Sequence, residues 1–595
     1  MNAFRKNKSS FLFCQSLVFD LEPSIRGPNK KIVQENNTEI TDSNDILKSL
    51  NGFHSDLFKR KSNKTIHQCN DFLHNIDVPK ITPEHQFLCE KDISIDDLKN
   101  SLYSMQKGKT PGNDGFTTDF YIHFWDDVKT IFYESVKYSF QVGFLSTSQR
   151  QAIIKLLEKR DKDKRFIGNW RPISLLNVDA KIISKCVATR LSPVLPTIIS
   201  CDQTAYVKGR FIGESARLIS DILEVTDTEQ LEGYMLTADL EKAFDSIDHT
   251  FLLSCLEKYG FGPNFLKWIK ILLNKNESCV MNGGTTTSYF NLERGARQGD
   301  PIAAYLFILV LEIFFILIRS NANIKKLKIY DFSYILTAYA DDTTFFVADL
   351  NSVLEINNVF GKFSSFSGLR LNNSKCEICG IGVKKGDNVA LCGFKNVDLT
   401  TNSVRILGVH FSYNKAICKQ RNFTDVIKKI ENVIKVWNFR SLTLSGKITI
   451  FKTLAISKIV YISYLSSVPN DIISQLDIVH KNFIWGNKRA KIKHSTLIND
   501  YGDGGLRDVD IKSKFNALHL SWLKRLYDNN FHPWKNIPNF LFKKLSGCKS
   551  TLFFPNLSIN SSALSKLPEF YKNIVINWIT FSRSEPMTIY SLFNK

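Results

Sequence analysis

The stretch Ser333-Tyr-Ile-Leu-Thr-Ala-Tyr-Ala-Asp-Asp-Thr-Thr-Phe-Phe-Val-Ala348 constrains the fold more than any other part of the chain. Two runs rich in β-branched and aromatic residues flank a polar centre, a pattern that reads as strand, tight turn and strand. The apolar arms demand a buried hairpin, which carries Asp341 and Asp342 at its tip. Adjacent carboxylates on a rigid support offer the hard oxygen donors that Mg2+ prefers. An isolated Asp-Asp pair is more often a solvated turn, so a metal site needs a third, distant carboxylate and a surface for nucleic acid.

Charge is consistent with that surface. The chain has 78 Lys and Arg against 58 Asp and Glu, a net charge of +20, and 12% aromatic residues interleaved with the basic ones. Such a mixture suits phosphate contacts and base stacking. At 595 residues several domains are expected. Twelve cysteines spread over this length make no dense disulfide framework, which points to a reducing compartment. The N-terminus has basic residues but only the short apolar Phe11–Cys14 run, so no secretory signal is read. The most membrane-like segment, Tyr305–Ile318, is too short to span comfortably and is interrupted by Glu312. It reads as a buried helix starting after Pro301, and the chain as not secreted and without a transmembrane segment.

Residues 1–88 are polar and weakly periodic apart from an apolar patch near Ile46–Leu57, and read as a linker or incomplete helical extension, partly disordered. Helical spacing begins with Ile95, Leu98, Leu102 and Met105 and resumes over Phe120–Phe140. Ile153–Leu157 reads as a short strand before a highly charged loop. Val178–Leu195 reads as a helix with Lys181, Lys185 and Arg190 on its polar face. Strands and helices mix from 233 to 411, an α+β arrangement, and the pattern beyond Asn422 is mostly helical.

A second acidic cluster lies in Gly233-Tyr-Met-Leu-Thr-Ala-Asp-Leu-Glu-Lys-Ala-Phe-Asp-Ser-Ile-Asp-His249. A short strand, Tyr234–Ala238, delivers Asp239 at its end. Taken alone, Asp239 would serve as a helix N-cap. Taken with the hairpin, it completes the set of carboxylates from separate strands that two-metal phosphoryl transfer needs. Acids packed this closely repel one another and titrate as a coupled set.

Ala238-Asp-Leu-Glu-Lys-Ala-Phe-Asp245 and the Tyr339-Ala-Asp-Asp342 tip resemble two catalytic motifs of reverse transcriptases. Between them, Arg294-Gly-Ala-Arg-Gln-Gly-Asp-Pro301 is similar to the motif that distinguishes the non-LTR, LINE-type retrotransposon enzymes. Further matches follow in order: Lys109–Gly115, Asn169–Ser174, Gln203 through Gly209-Arg210, Gly368–Asn372 with Lys375, Ile406–Val409, Phe483–Gly486 and Gly504–Leu506. The resemblance covers roughly residues 90–525.

The resemblance implies an α+β right-hand polymerase with an antiparallel palm sheet. Residues 89–232 would be the N-terminal extension and fingers, 138–414 the reverse transcriptase domain, 233–411 the palm, 420–530 a helical thumb and 531–595 a C-terminal segment. Asp239, Asp341 and Asp342 would hold two Mg2+ ions, with Mn2+ as an alternative. Phe244 would gate against the ribonucleotide 2′-hydroxyl, and Gln298 and Gly299 would lie beside the nascent pair. Lys155 and Arg171 would grip the triphosphate, and Lys375 would donate a proton to leaving pyrophosphate. Tyr339, Gly209, Arg210 and Gly408 would lie along primer and template, Gly408 in a primer-grip hairpin. The implied partners are an RNA template, a DNA primer, deoxynucleoside triphosphates and an element-encoded RNA-binding protein, in a nuclear or cytoplasmic ribonucleoprotein and not at a membrane.

No zinc is expected: Cys376 and Cys379 are followed by Cys392, with His410 and Cys418 further on, but there is no second close pair, and residues three apart on a strand face opposite sides. No cysteine follows Cys548, so the C-terminal zinc knuckle of several LINE-type proteins is not found. Too little chain precedes the first motif for an endonuclease domain, which makes this a polymerase part expected to lack target nicking. The competing readings are a catalytically inactive RNA-binding remnant and a group II intron protein, the second disfavoured by Gln298-Gly-Asp-Pro301.

Overall fold

A computed structural model of the chain describes residues 31–33, 38–159, 162–486, 488–546 and 564–584. Phe11–Cys14 and Cys548 lie outside these residues. The central element is a five-stranded sheet in the order Leu336–Tyr339, Asp342–Val347, Glu232–Ala238, Glu377–Gly382, Lys395–Asn396. All its pairings are antiparallel except the last. Its middle strands are buried on both faces, which is why their sequences read as continuous apolar runs rather than alternating ones.

Alternate residues feed two different cores. Leu236, Phe345, Val347 and Ile378 face one, built with the Ala303–Ser320 and Leu350–Ser367 helices. Met235, Phe346, Cys379 and Ile381 face the other, covered by the Ile212–Thr228 helix and by Trp522, Trp534, Phe570 and Tyr571 from the C-terminal helices. Each such side chain contributes roughly 1.5–3 kcal/mol by burial, so the sheet is a rigid platform. Cys376 and Cys379 point into opposite cores, as their spacing on the strand requires.

The Ala303–Ser320 helix is apolar and long enough to cross a membrane by composition, but most of it is packed inside the first core. Glu312, which interrupts the apolar run, accepts a 2.8 Å hydrogen bond from Arg319, whose other nitrogens hold Asp202 at 2.7 and 2.9 Å. This buried network ties the helix to the loop that supports the hairpin.

A second sheet runs Trp170–Leu176, Gln151–Glu158, Glu277–Asn282, Thr285–Thr286, with Phe290–Asn291 paired to the third of these strands. Of the two expectations for the N-terminal residues, a linker or an incomplete helical extension, the described part follows the helical one. Ser43–Phe58, Ile66–His74 and Pro83–Glu90 are helices, the first capped by Asp42, whose carboxylate accepts from the N–H of Asn44 and Asp45. Ile46, Leu50, Leu57 and Phe58 bury against Ile154, Val280, Phe290 and Leu292 of the second sheet. The periodicity was diluted by polar residues on the outward face, so the packing partner decides the helix.

Val178–Leu191 is a helix as expected, but Arg190 is not a surface cation. It is buried, and its guanidinium donates to the carbonyls of Lys91 and Asp92 and to the Asp97 carboxylate. Beyond the Val404–Ile406 and Val409–Phe411 hairpin, helices dominate and form a separate core around Ile430, Phe451, Ile459, Leu476 and Phe515.

Candidate active site

The register of the central sheet assembles the site. Ala238 stands opposite Thr343 and Thr237 opposite Thr344, which leaves Asp239 at a strand end next to the turn that carries Asp341 and Asp342. Asp239 is not a cap: the short helix that follows starts at Ala243 without a side-chain cap, and Asp248 caps the next one by accepting from the N–H of Phe251. The Asp239 backbone is fixed by the Gly368–Lys375 segment, with its carbonyl accepting from Asn372 at 2.8 Å. Its carboxylate pairs with the Lys375 ammonium at 3.2 Å.

The hairpin tip is a two-residue turn, with Tyr339 paired to Asp342 and Ala340 at φ 56°. A non-glycine residue in this left-handed region stores of order 1 kcal/mol or more and persists only when its surroundings hold it there. Gln203, fully buried, does so from both sides. Its carbonyl oxygen accepts from the Ala340 N–H at 2.9 Å and its amide donates to the Ala340 carbonyl at 3.3 Å. Asp202 and Thr204 add backbone bonds to Ala338, each 2.8 Å.

Asp239 and Asp341 open into a cleft of about 660 Å³, within the size range of nucleotide-sized ligand sites, while Asp342 is exposed next to Asp341 at the turn. Its walls include Asp239, Asp341, Phe244, Asp245, Gln298, Lys159, Arg171, Tyr206 and Lys375. Phe244 is half-buried, stacked on Phe307 at 4.6 Å with Tyr206 edge-on at 6.5 Å. Arg171 also lines the cleft and is exposed.

Lys155 does not line the cleft. It lies two rungs from the Leu157–Arg171 pair, further along the strand, and Lys159 at the strand's end is the cation that reaches in. Withdrawal from water, then the charges of Lys375 and Arg171, lowers the Lys159 pKa. His54, from the Ser43–Phe58 helix, also lines the cleft, and burial lowers its pKa to about 4. Lys242 lies 4.0 Å from the ring of Phe53 on the same helix.

Gln298 donates to both carboxylate oxygens of Asp245 at 3.3 Å, joining two motifs across the cleft floor. Burial raises Asp245 to about 7, against the opposing pull of Gln298 and Lys242. Gly299 is at φ 123°, and a Cβ there would come within 2.6 Å of the Ser174 carbonyl. Its close approach is thus to the neighbouring strand, which Ser174 also grips by donating its N–H to the Gln298 carbonyl at 2.8 Å.

Arg210 is placed differently from the expectation. Its guanidinium donates to the carbonyls of Ile199, Ser200 and Gln203, bracing the loop that carries Gln203 instead of reaching toward a duplex. Gly209, at φ 86°, is exposed on the same loop beside Asn530. Tyr339 lies beside Tyr206, ring centroids 6.4 Å apart. Gly408 and Leu407 both take positive φ in the tight Ile406–Val409 turn, where Tyr461 donates to the Leu407 carbonyl at 3.0 Å.

Desolvation in the concave site, then repulsion from Asp341 and Asp239, pushes Asp342 up to about 6. Asp341 is raised by burial and by Asp239, opposed by Arg171. Clustered oxygen donors that repel one another in this way fit a divalent metal ion, whose charge would relieve the repulsion. Sequence reasoning missed Gln203 as the clamp of the turn, Lys159, Asp245 and Tyr206. All four lie within or beside recognised motifs, but their roles depend on partners more than 50 residues away or on the direction of a side chain.

Comparison with known proteins agrees with this geometry. Residues 157–411 match the family described as reverse transcriptase (RNA-dependent DNA polymerase). The chain is 29% identical over 507 residues to a transposon TX1 uncharacterized 149 kDa protein of Xenopus laevis, covering 84% of this chain and 38% of that protein. It is 26% identical to the Pol polyprotein of the retrotransposable element R2DM of Drosophila melanogaster, over 36% of this chain and 20% of the polyprotein. A probable RNA-directed DNA polymerase from transposon BS of the same fly is 24% identical over 44% of this chain and 28% of that protein. The chain thus spans well under half the length of these relatives. Residues 157–411 therefore carry a reverse transcriptase (RNA-dependent DNA polymerase) domain, and the relatives are named as proteins of transposons and retrotransposable elements.

Proposed function

We propose that this chain is an RNA-directed DNA polymerase that extends a primer 3′-hydroxyl with deoxynucleotides on an RNA template. The observation that supports the reading is the strand register, whose last pair Ala238–Thr343 leaves Asp239 at a strand end next to the turn that carries Asp341 and Asp342. In a right-hand layout the central sheet is the palm, the second sheet and the helices before it belong to the fingers, and the helices from Asp425 to Tyr527 form the thumb. Mg2+ bound by Asp239, Asp341 and Asp342 would supply charge neutralisation at the phosphates during in-line displacement.

The other roles fall to the chain's own side chains. Arg171 and Lys159 bind the triphosphate, the guanidinium offering a planar fork to phosphate oxygens. Lys375, held at Asp239, keeps a proton at Nζ within reach of the leaving pyrophosphate. Phe244, backed by Phe307, presents a ring edge that excludes a 2′-hydroxyl. Tyr206 and Tyr339 offer faces for base stacking. The net charge of +20 suits an RNA–DNA duplex as the bound partner.

The test is extension of a DNA primer on an RNA template by the purified chain with Mg2+. Incorporation that disappears in Asp341→Asn supports the proposal. Salt-sensitive RNA binding without incorporation would instead identify a non-catalytic remnant.

A further inference from the structure

Among the described residues one trio of ligating side chains has all its donor atoms within 4.8 Å of one another, and it lies outside the cleft: His480, His494 and Asp508. The three come from three segments. His480 is on the inner face of the Asn470–Trp485 helix, between Leu476 and Phe483, with its ring 4.3 Å from that of Phe451. His494 opens the His494–Ile498 helix. Asp508 sits on an extended segment pinned to that helix, its N–H donating to the Leu497 carbonyl at 2.9 Å.

Ordinary hydrogen bonding does not account for this convergence. His480 Nε2 lies 3.1 Å from Asp508 Oδ1 and His494 Nε2 lies 3.5 Å from Oδ2. Neither contact has good hydrogen-bond geometry, though against the opposing effect of burial the His480 ring still favours the charged Asp508 carboxylate. The side chains of His480 and Asp508 are 3% and 0% exposed, so bulk solvent does not reach them. Buried polar atoms left unpaired are costly and rare, and three aimed at one point call for a shared partner. Asp508 Oδ1 already accepts from the Val509 N–H at 2.8 Å, which orients the carboxylate and leaves Oδ2 for a ligand.

We infer that His480, His494 and Asp508 form a Zn2+ site. Imidazole nitrogens and one carboxylate oxygen suit zinc, whereas Mg2+ favours oxygen alone. Bonds of about 2.0–2.2 Å in tetrahedral geometry place donors roughly 3.3–3.5 Å apart, which matches the 3.5 Å between His494 Nε2 and Asp508 Oδ2. His494 is 35% exposed and provides the route of entry, with the fourth position open to water. The bound ion would join the long helix, the Gly504–Asp508 segment and the C-terminal end of the exposed basic run Lys488–Lys493, which stops at the residue before His494. It fixes where that run leaves the helical region.

The experiment loads the full chain with Zn2+, removes unbound metal by gel filtration and measures metal content, with Co2+ substituted in parallel for its absorption spectrum. The expected result is about one zinc per chain and visible Co2+ bands of a four-coordinate site. His494→Gln, at the rim, should abolish both while keeping the far-ultraviolet dichroism of the unaltered chain. Zinc should slow trypsin cleavage within Lys488–Lys493 several-fold in the unaltered chain and not in His494→Gln. An Asp239→Asn, Asp341→Asn double variant should keep its zinc, separating this site from the cleft. Substoichiometric zinc in the unaltered chain, zinc retained by His494→Gln, or zinc lost with the cleft carboxylates would each overturn the assignment.

Discussion

The cleft and the helical region both gather metal-binding side chains, but they do so in opposite ways. In the cleft, Asp239, Asp341 and Asp342 share a strand end, and repulsion pushes Asp342 up to about 6 while the Lys375 ammonium partly neutralises Asp239. Their mutual repulsion raises both Asp341 and Asp342 beyond what burial does. In the helical region the donor atoms of His480, His494 and Asp508 are drawn within 4.8 Å of one another and two of the three are shut away from bulk solvent. A site proposed to admit a nucleotide and release pyrophosphate would have to stay open and loosely charged. A site that only joins chain segments gains by being closed.

This contrast can be broken most sharply at the hairpin. Asp342→Asn should reduce nucleotide incorporation by about 10³-fold or more, since removing a metal ligand forfeits several kcal/mol of transition-state stabilisation. RNA binding should stay near that of the unaltered chain, as read by a salt titration.

A smaller loss is expected from the clamp behind the turn. Gln203→Leu leaves the N–H and carbonyl of Ala340 without partners, and outer-shell changes of this kind typically cost about 10–100-fold. Incorporation measured across Mg2+ concentrations should show the loss mainly as a higher metal requirement. An unchanged Mg2+ dependence would mean that the turn keeps its shape without Gln203.

Phe244→Ala should raise ribonucleotide use relative to deoxynucleotide use by about 10-fold or more, the scale of discrimination by a single steric contact. Competition between the two nucleotides on one template reads it directly, and unchanged sugar selectivity would remove Phe244 from the gate.

Acidity supplies a further test. Protonation of Asp342 as pH falls through about 6 would remove one of the proposed metal donors. The Mg2+ requirement should therefore climb toward about tenfold per pH unit below that point. Stability of the metal-free chain moves the other way. A carboxyl raised in the fold binds its proton before the unfolded chain does, so the fold gains stability as pH falls through 6. Denaturant titrations at pH 7.5 and 5.5 should show a smaller gain for Asp342→Asn than for the unaltered chain.

The smallest effect separates the two regions. Stripping zinc from the helical site should change Mg2+-dependent incorporation on a short template by less than about threefold, because no metal ligand in the cleft is touched. A collapse of incorporation on zinc removal would show that the two sites are one working unit.

Much of the cleft was legible in the sequence because its acids sit on segments with strong local signals. The hairpin announced itself by its apolar arms, and Asp239 by the short strand before it, and the register then brought them together. The apolar helix after Pro301 and the opposed faces of Cys376 and Cys379 were readable for the same reason. What was not legible depends on contacts distant in sequence. Gln203 acts 137 residues from Ala340, and Arg210 has the arginine chemistry of a phosphate contact but is held by carbonyls of its own loop. The helix at Ser43–Phe58 has a diluted apolar stripe that becomes decisive only against Ile154 and Phe290. His480, His494 and Asp508 are spaced like no local metal motif, and only the packing of three segments puts them together.

The account rests most heavily on Asp239, which lies about a hundred residues from the hairpin it is said to complete. Single-turnover incorporation by Asp239→Asn with Mg2+, on an RNA template and at saturating deoxynucleotide, tests that directly. A loss of about 10³-fold or more, matching that of Asp342→Asn, is the predicted result. Incorporation within about tenfold of the unaltered chain would show that the hairpin carboxylates act without Asp239, and would contradict the account.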